Sequence, residues 1–280
     1  MIRGFDRRSF LHSTGLLLAA GFTHGTASAS DIPVQQRITR YNLNENSWGP
    51  SPFVLSAIQA ELVNLNRYAD EEASARLRVQ IAAHERVAHE QVILGEILGA
   101  LGLYLGSQGE VGGEFLYSKP GYMALIDAAQ SVGGVGVGVP LNAGYANDLP
   151  ALAARISAKT RAVYLVNPHN PTGTANGAEE FLRFVREASQ RTTVIIDEAY
   201  LEYTTDFKTR STATLVREDA NVLVFRTFDK IHGLAGLPIG YTLAPRRMVA
   251  SLRGKGLGDA ESLGRLNIAA PRRRWRIRSM

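Results

Sequence analysis

The sequence contains no cysteine among its 280 residues. Disulfide bonds and thiolate metal sites are therefore excluded, and the absence is compatible with an oxidising compartment. The chain also has little net charge outside its ends. Of the formal charge of +5, the last ten residues contribute +5 and the first eight contribute +2, which leaves 5 − 5 − 2 = −2 for the rest. A nearly neutral body offers no electrostatic basis for binding nucleic acid.

The N-terminus lacks an apolar run long enough to span a bilayer comfortably, since its apolar core covers only residues 16–22. Arg7 and Arg8 precede this run, and the small residues Ala27, Ser28 and Ala29 follow it. This order predicts a signal peptide over residues 1–29, and the arginine pair resembles a twin-arginine signal. We therefore expect a periplasmic protein with no membrane attachment after cleavage; a short amphipathic helix or an uncleaved anchor is the alternative.

Patterns that predict a fold begin after residue 30. Residues 30–52 are polar and turn-rich and predict an extended arm, followed by a globular domain over 53–267. Apolar spacing predicts helical structure over 52–89, and seven glycines from 95 to 113 predict a loose loop-and-helix region. Beyond it, predicted strands at 114–117, 135–139, 162–166, 193–196, 222–225 and 238–243 alternate with predicted helices at 122–130, 149–156 and 179–189. This alternation predicts an α/β fold with a mostly parallel sheet flanked by helices.

Two His-Glu pairs, at 84–85 and 89–90, raise the question of a metal site. The histidines are five residues apart, which does not place them on one face of a helix and is not the zinc-protease spacing. We interpret the two pairs as part of a solvated helix and expect no metal there.

Three predicted strands each run into a polar segment. The first runs into Asn-Pro-His-Asn-Pro-Thr-Gly at 167–173, the second into Asp-Glu-Ala-Tyr at 197–200, and the third into Arg-Thr-Phe-Asp-Lys at 226–230. Ligands of open parallel sheets bind outside the carboxyl ends of the strands. The sequence therefore predicts an amide, a carboxyl, a phenol and an amine along one edge of the sheet.

This set of groups suits pyridoxal 5′-phosphate (PLP). The cofactor requires a lysine amine for its aldimine, an acid beside the pyridine nitrogen, and donors to its phenolic oxygen. A carboxylate keeps the nitrogen protonated, which makes the ring a stronger electron sink. The lysine, once released by the substrate, can then act as the base that moves the Cα proton.

The three segments also occur in the order and approximate spacing of the signature segments of class I/II aminotransferases, which they resemble. Residues 44–46 (Asn-Glu-Asn), 49–52 (Gly-Pro-Ser-Pro) and 66–68 (Asn-Arg-Tyr) resemble the histidinol-phosphate aminotransferase branch. The resemblance covers roughly residues 41–267. It implies the large domain of a PLP-dependent transferase.

The resemblance also implies roles for individual residues. Lys230 would form the internal aldimine, and Asp197 would pair with the pyridine nitrogen. Tyr200 and Asn170 would hydrogen-bond the phenolic oxygen of the ring.

Three further residues follow from the same resemblance. Tyr122 matches the aromatic residue that stacks on the ring, and Thr227 is assigned to the cofactor-binding set. Tyr68 matches a tyrosine that reaches the cofactor phosphate of a partner subunit, which implies a homodimer.

The phosphate end of the site departs from the family pattern. Asp229 replaces a serine or similar small residue before the lysine, and Pro238 replaces an arginine eight residues after it. The glycine-rich segment 94–99 contains Glu96 and no hydroxyl residue. A hydrogen bond to a charged group contributes about 1.5–3 kcal/mol, so losing the arginine alone corresponds to roughly 10- to 100-fold in affinity. We therefore expect weak or unusual anchoring of the phosphate.

The C-terminal end departs as well. In the family a small domain follows the large one and supplies an arginine for the substrate carboxylate. Residues 268–280 instead form an atypical basic tail, so we expect the small domain to be largely missing. A shifted reading frame is the favoured explanation, and a genuine basic tail is the alternative.

The predicted activity is amino transfer between an amino acid, or an amino-phosphate compound, and a 2-oxo acid. A PLP-dependent amino-acid decarboxylase of the same fold and a non-catalytic truncated or degenerate paralogue are the alternatives.

Overall fold

The computed structural model describes residues 42–237, 239–258 and 263–272, all of which lie within the compact unit Arg40–Met280. The predicted signal peptide, residues 30–41 of the predicted arm, Pro238 and the tail from residue 273 lie outside the described residues. No helix in the described part of the chain is both long and apolar enough to cross a membrane.

Seven strands of the described chain form one sheet in the order β1-β7-β6-β5-β4-β2-β3. Strand β7 runs antiparallel to both of its neighbours, and the other pairs are parallel. The prediction of a mostly parallel sheet is therefore confirmed. The strands are β1 (Val92–Leu94), β2 (Glu114–Lys119), β3 (Val135–Pro140), β4 (Thr160–Val166), β5 (Thr193–Asp197), β6 (Val222–Thr227) and β7 (Gly240–Leu243).

Helices cover both faces of this sheet. Val163 and Leu165 of β4 contribute to one apolar cluster, whereas the alternate residues Tyr164 and Val166 contribute to a second. Successive side chains of a strand point to opposite faces, so β4 is buried on both, as is usual for a parallel sheet. The helices are α1 (Pro52–Glu61), α2 (Glu71–Glu85), α3 (Leu98–Gly106), α4 (Ala124–Gln130), α5 (Leu149–Arg155), α6 (Ala178–Ser189), α7 (Phe207–Arg210), α8 (Ala213–Arg217), α9 (Arg246–Arg253) and α10 (Arg265–Arg272).

The glycine-rich region is more regular than the sequence predicts. It contains the end of β1 and the whole of α3, which packs against α4. A Cβ atom on Gly102 would lie 2.3 Å from the carbonyl oxygen of Leu125, and one on Gly106 would lie 2.7 Å from that of Ala129. The predicted helix is present, but the region is not loose, because these two glycines permit close helix packing.

Two other expectations also need correction. The described part of the predicted arm, 42–50, consists of turns and bends, and Leu43 and Asn44 have positive φ angles of 62° and 53°. The turns that the sequence predicts are present, but the arm is not extended there. Glu85 is not solvated either, since only 7% of its surface is exposed and it pairs with Arg226.

Candidate active site

The carboxyl ends of β4, β5 and β6 lie side by side. Val166 pairs with Asp197, and Asp197 pairs with Phe225, so the segments that follow these strands open onto one cavity of about 580 Å³. The described residues that line it include six of the predicted site residues: Tyr122, Asn170, Asp197, Tyr200, Thr227 and Lys230.

Tyr68 does not lie at this cavity. It is 88% exposed and borders a separate groove together with Arg265, whose guanidinium donates to the Tyr68 carbonyl oxygen at 2.5 Å. Its predicted role concerns a partner subunit, and this position outside the cavity of its own chain is compatible with that role.

Asp197 is the buried acid of the site, with 2% of its surface exposed. Its Oδ1 accepts a hydrogen bond from the Ala199 main-chain nitrogen at 3.0 Å, and its Oδ2 accepts one from the Tyr164 hydroxyl at 3.0 Å. Burial raises the pKa of Asp197 to about 6, although both hydrogen bonds lower it. The carboxyl is therefore mostly ionised at neutral pH and is held in one orientation.

Tyr164 is the functional neighbour that sequence reasoning missed. It lies within the apolar strand β4 and is fully buried. From the sequence alone it therefore cannot be distinguished from an ordinary core residue. The available signal was its position two residues before Val166, which lines the cavity and lies on the same face of the strand. A hydroxyl on that face requires a polar partner, because a buried polar group without one is costly.

The phenol and amide of the site converge on one point. The hydroxyl oxygen of Tyr200 accepts hydrogen bonds from Asn170 Nδ2 at 3.4 Å and from Asn44 Nδ2 at 2.9 Å. A hydroxyl that accepts two bonds can still donate its own proton. Burial raises the pKa of Tyr200 above its ordinary value, so the phenol remains a proton donor at neutral pH.

The arm, residues 42–50, packs onto the segment that carries the lysine. Lys230 Nζ donates to the Leu43 carbonyl oxygen at 3.2 Å, and Asn46 Nδ2 donates to the Ile231 carbonyl oxygen at 2.9 Å. A Cβ atom on Gly233 would lie 2.5 Å from the carbonyl carbon of Gly49, so glycine is required where the two segments meet. The arm thereby forms one wall of the cavity and fixes the position of the amine.

The wall of the cavity that contains Glu96, Thr227 and Asp229 is acidic. Thr227 Oγ1 donates to Glu96 Oε1 at 2.6 Å and accepts from the Asp229 main-chain nitrogen at 3.0 Å. Glu96 is accessible from the cavity, yet the protein atoms around its carboxyl displace water and raise its pKa to about 8. Asp229 Oδ1 is buried and has no hydrogen-bond partner among the described residues. This wall is the one on which the sequence predicts unusual phosphate anchoring.

A buried ionic cluster lies behind the site. Arg226 precedes Thr227 in β6, and its guanidinium contacts Glu198 at 2.8 Å and Glu85 at 3.4 Å. The Tyr241 hydroxyl donates to the same Glu85 oxygen at 2.5 Å. Because Glu198 follows Asp197 directly, this cluster fixes the ends of β5 and β6 relative to each other.

The fold and this edge of the sheet are those of the large domain of PLP-dependent transferases, as the sequence predicts. Within that class the chain belongs to the aminotransferase class I and II family, whose profile matches residues 38–255. A histidinol-phosphate aminotransferase 2 from Hydrogenovibrio crunogenus is 34% identical over 218 residues, covering 76% of this chain and 57% of that protein.

Two more proteins illustrate the range of the family. An aromatic amino acid aminotransferase from Corynebacterium jeikeium is 37% identical over 215 residues, covering 76% of this chain and 57% of its own length. The histidinol-phosphate aminotransferase from Sinorhizobium meliloti, solved in complex with PLP, superposes with a TM-score of 0.75 at 29% identity, covering 85% of this chain and 64% of that one. The chain thus spans less than two thirds of the length of these relatives.

PLP is the cofactor of this family, which confirms the cofactor predicted from the sequence. The groups in the cavity fit the ring of PLP. Lys230 offers an amine, Asp197 a buried carboxyl, and Tyr200 and Asn170 hydrogen-bond donors, and these would suit its carbonyl carbon, its nitrogen and its phenolic oxygen, respectively. The acidic wall fits a phosphate less well, since carboxylates repel a dianion.

Proposed function

We propose that this chain holds PLP and transfers an amino group between an amino acid, or an amino-phosphate compound, and a 2-oxo acid. The observation that carries the proposal is the convergence of Lys230, Asp197 and Tyr200 on one cavity at the carboxyl edge of the sheet. PLP, when bound, supplies an electron sink for negative charge on the substrate Cα.

The residues of the chain would divide the remaining work. Lys230 would hold the cofactor through Nζ and, once released, take the Cα proton at the same atom. Asp197 would hold a proton at the pyridine nitrogen. Tyr200 would donate its hydroxyl proton to the phenolic oxygen, supported by Asn170 and Asn44.

Borohydride trapping tests the proposal. The purified protein is incubated with PLP and divided: one portion is reduced with borohydride and its modified peptide is identified by mass spectrometry, and an unreduced portion is assayed with an amino acid and 2-oxoglutarate. We expect label on Lys230 and amino transfer to 2-oxoglutarate, with both lost in Lys230→Ala. Lys208→Ala is the matched control, since Lys208 lies at a different cavity.

The alternatives predict other outcomes of the same experiment. Release of CO₂ without amino transfer would support a decarboxylase. Absence of label under all conditions would support a non-catalytic paralogue, an outcome for which the acidic wall is a physical reason.

We further propose that the chain acts as a homodimer through the surface around Tyr68. Val63, Leu65 and Tyr68 are 83%, 62% and 88% exposed, and clustered exposed apolar side chains are typical of interfaces. Sedimentation of Leu65→Asp is expected to show dissociation. Val111→Asp, at an apolar position elsewhere that is even more exposed than Leu65, is expected to leave the dimer intact.

The export signal is a proposal of its own. Arg7 and Arg8 support it. A fusion of residues 1–29 to a reporter that is active only in the periplasm is expected to be active. Replacing both arginines by lysine is expected to abolish that activity, and unchanged activity would contradict the twin-arginine assignment.

A further inference from the structure

A further inference follows from where the acidic wall lies relative to Lys230, Asp197 and Tyr200, and it rests on the proposed function. In PLP the phosphate arm and the phenolic oxygen flank the carbonyl carbon on opposite sides of the ring, and the nitrogen lies opposite that carbon. Lys230, Asp197 and Tyr200 account for carbonyl, nitrogen and phenolic oxygen. The part of the cavity left for the arm is the wall formed by Glu96, Leu98, Thr227 and Asp229.

This wall directs its hydroxyl proton away from a ligand. The Thr227 hydroxyl donates to Glu96 at 2.6 Å, so a phosphate oxygen would have to compete with a carboxyl for that proton. Among the described residues that line the cavity, Lys230 is the only cation, and it belongs to the carbonyl end. A dianion at this wall would therefore face Glu96 and Asp229 without a counter-charge from the cavity lining.

We propose that Glu96 discriminates against an ionised phosphate, so that this site prefers the phosphorylated form of its cofactor only weakly while Glu96 carries a charge. Glutamate is suited to this role because it can lose the charge by taking up a proton. The neutral acid would remove the repulsion and could itself donate to a phosphate oxygen.

The groups around Glu96 determine the pH at which this happens. Loss of water around the carboxyl raises its pKa to about 8, the Thr227 hydrogen bond lowers it, the carboxyls of Asp229 and Asp197 raise it, and Lys230 lowers it. Tyr122 also faces Glu96, and its own pKa is raised, so it stays neutral in this range. Glu96 is thus mostly neutral at pH 7 and mostly ionised at pH 9. A phosphomonoester, with a second pKa of about 6, is mainly a dianion at both values.

The experiment compares two ligands that differ only in the phosphate. Dissociation constants for pyridoxamine and pyridoxamine 5′-phosphate are measured by calorimetry at pH 7 and pH 9, because neither amine reacts with Lys230. In the wild type, the preference for the phosphorylated ligand should fall at least about tenfold between pH 7 and pH 9, since like charges in contact repel strongly. In Glu96→Gln, which retains an acceptor for Thr227, the preference should be equal at both values and no lower than that of the wild type at pH 7.

Glu45→Gln is the matched control. Glu45 lines the same cavity on the arm, so this variant removes a carboxyl group from a different wall. A wild-type preference that is the same at pH 7 and pH 9, or an equal effect of the two variants, would overturn the proposal. Failure of the wild type to bind either ligand would instead reject the proposed function, and the inference with it.

Discussion

The hydroxyl of Tyr164, on strand β4, lies 3.0 Å from Oδ2 of Asp197, on the neighbouring strand β5. Both residues are almost fully buried, and the other carboxyl oxygen of Asp197 is held by the Ala199 main-chain nitrogen. Asp197 therefore has both oxygens oriented before any ligand arrives. The strand pairing, which sets Tyr164 opposite Ile195, brings the hydroxyl within reach of the carboxyl two residues further on.

The first prediction concerns this hydrogen bond. Tyr164→Phe removes a contact that lowers the pKa of Asp197, so the pKa rises further. Since a hydrogen bond to a charged group contributes about 1.5–3 kcal/mol, we expect about tenfold or more weaker PLP binding near neutral pH. The pH at which half of the affinity is lost should also move upward. Titrations of PLP absorbance between about pH 5 and pH 8 measure both effects.

Tyr117→Phe is the control for that experiment. Tyr117 lies on β2, pairs with Tyr164 in the sheet and packs against the same apolar cluster. The two variants lose the same atom. Equal pH profiles for them would show that Tyr164 acts only through packing.

The second prediction concerns the stability of the protein without cofactor. The pKa of Asp197 is raised from 3.8 to about 6 in the folded chain. Its contribution to stability is therefore complete below about pH 4 and is lost as the pH rises through about 6, so the buried carboxylate destabilises the fold at pH 8 by up to about 3 kcal/mol. We expect Asp197→Asn to be more stable than the wild type in urea at pH 8, and no more stable at pH 4. The reverse order would contradict the shift.

The third prediction concerns the buried ionic cluster. Arg226→Ala leaves Glu198 and Glu85 without their cation, and breaking a buried pair in this way costs about 3–5 kcal/mol. Urea denaturation measures the loss. Tyr241→Phe, which removes one hydrogen bond from Glu85, should lose less and provides a second measurement if Arg226→Ala does not fold.

Arg186→Ala is the control for this cluster. Arg186 pairs with Glu218, and both side chains are about half exposed. Solvent screens such pairs, so little change in stability is expected. Similar losses for Arg186 and Arg226 would contradict the importance of burial.

The fourth prediction compares two glycines on α3. A Cβ atom at Gly102 would clash with the Leu125 carbonyl oxygen, whereas one at Gly99 would meet nothing within 4 Å. Gly102→Ala should therefore destabilise the chain by about 1–3 kcal/mol. Gly99→Ala should be neutral or stabilising by up to about 1 kcal/mol, because alanine favours helix. Thermal denaturation of both variants checks the sign of each change.

The order of elements was largely predictable because it depends on local sequence. Mainly apolar runs at 162–166, 193–196 and 222–225 lie within β4, β5 and β6, and the helices before and after β4 begin within one residue of their predicted starts, at Leu149 and Ala178. The region 94–113 was not predictable in this way. A glycine in a flexible loop and a glycine that lets another helix pack closely have the same local conformational preference. The helix that packs against α3 lies some 20 residues further along the chain, so the local sequence does not reveal which case applies.

The same distinction between local sequence and tertiary structure applies to the site. The sequence by itself determined that an amide, a carboxyl, a phenol and an amine follow strand ends, and parallel pairing alone places Asn170, Asp197 and Lys230 on one edge. Only the tertiary structure joined Tyr164 to Asp197 and Glu96 to Thr227, since each pair comes from separate strands or loops whose spacing depends on sheet order and register. The surroundings that raise the pKa values of Glu96 and Asp197 are likewise a property of the packed chain and not of any segment within it.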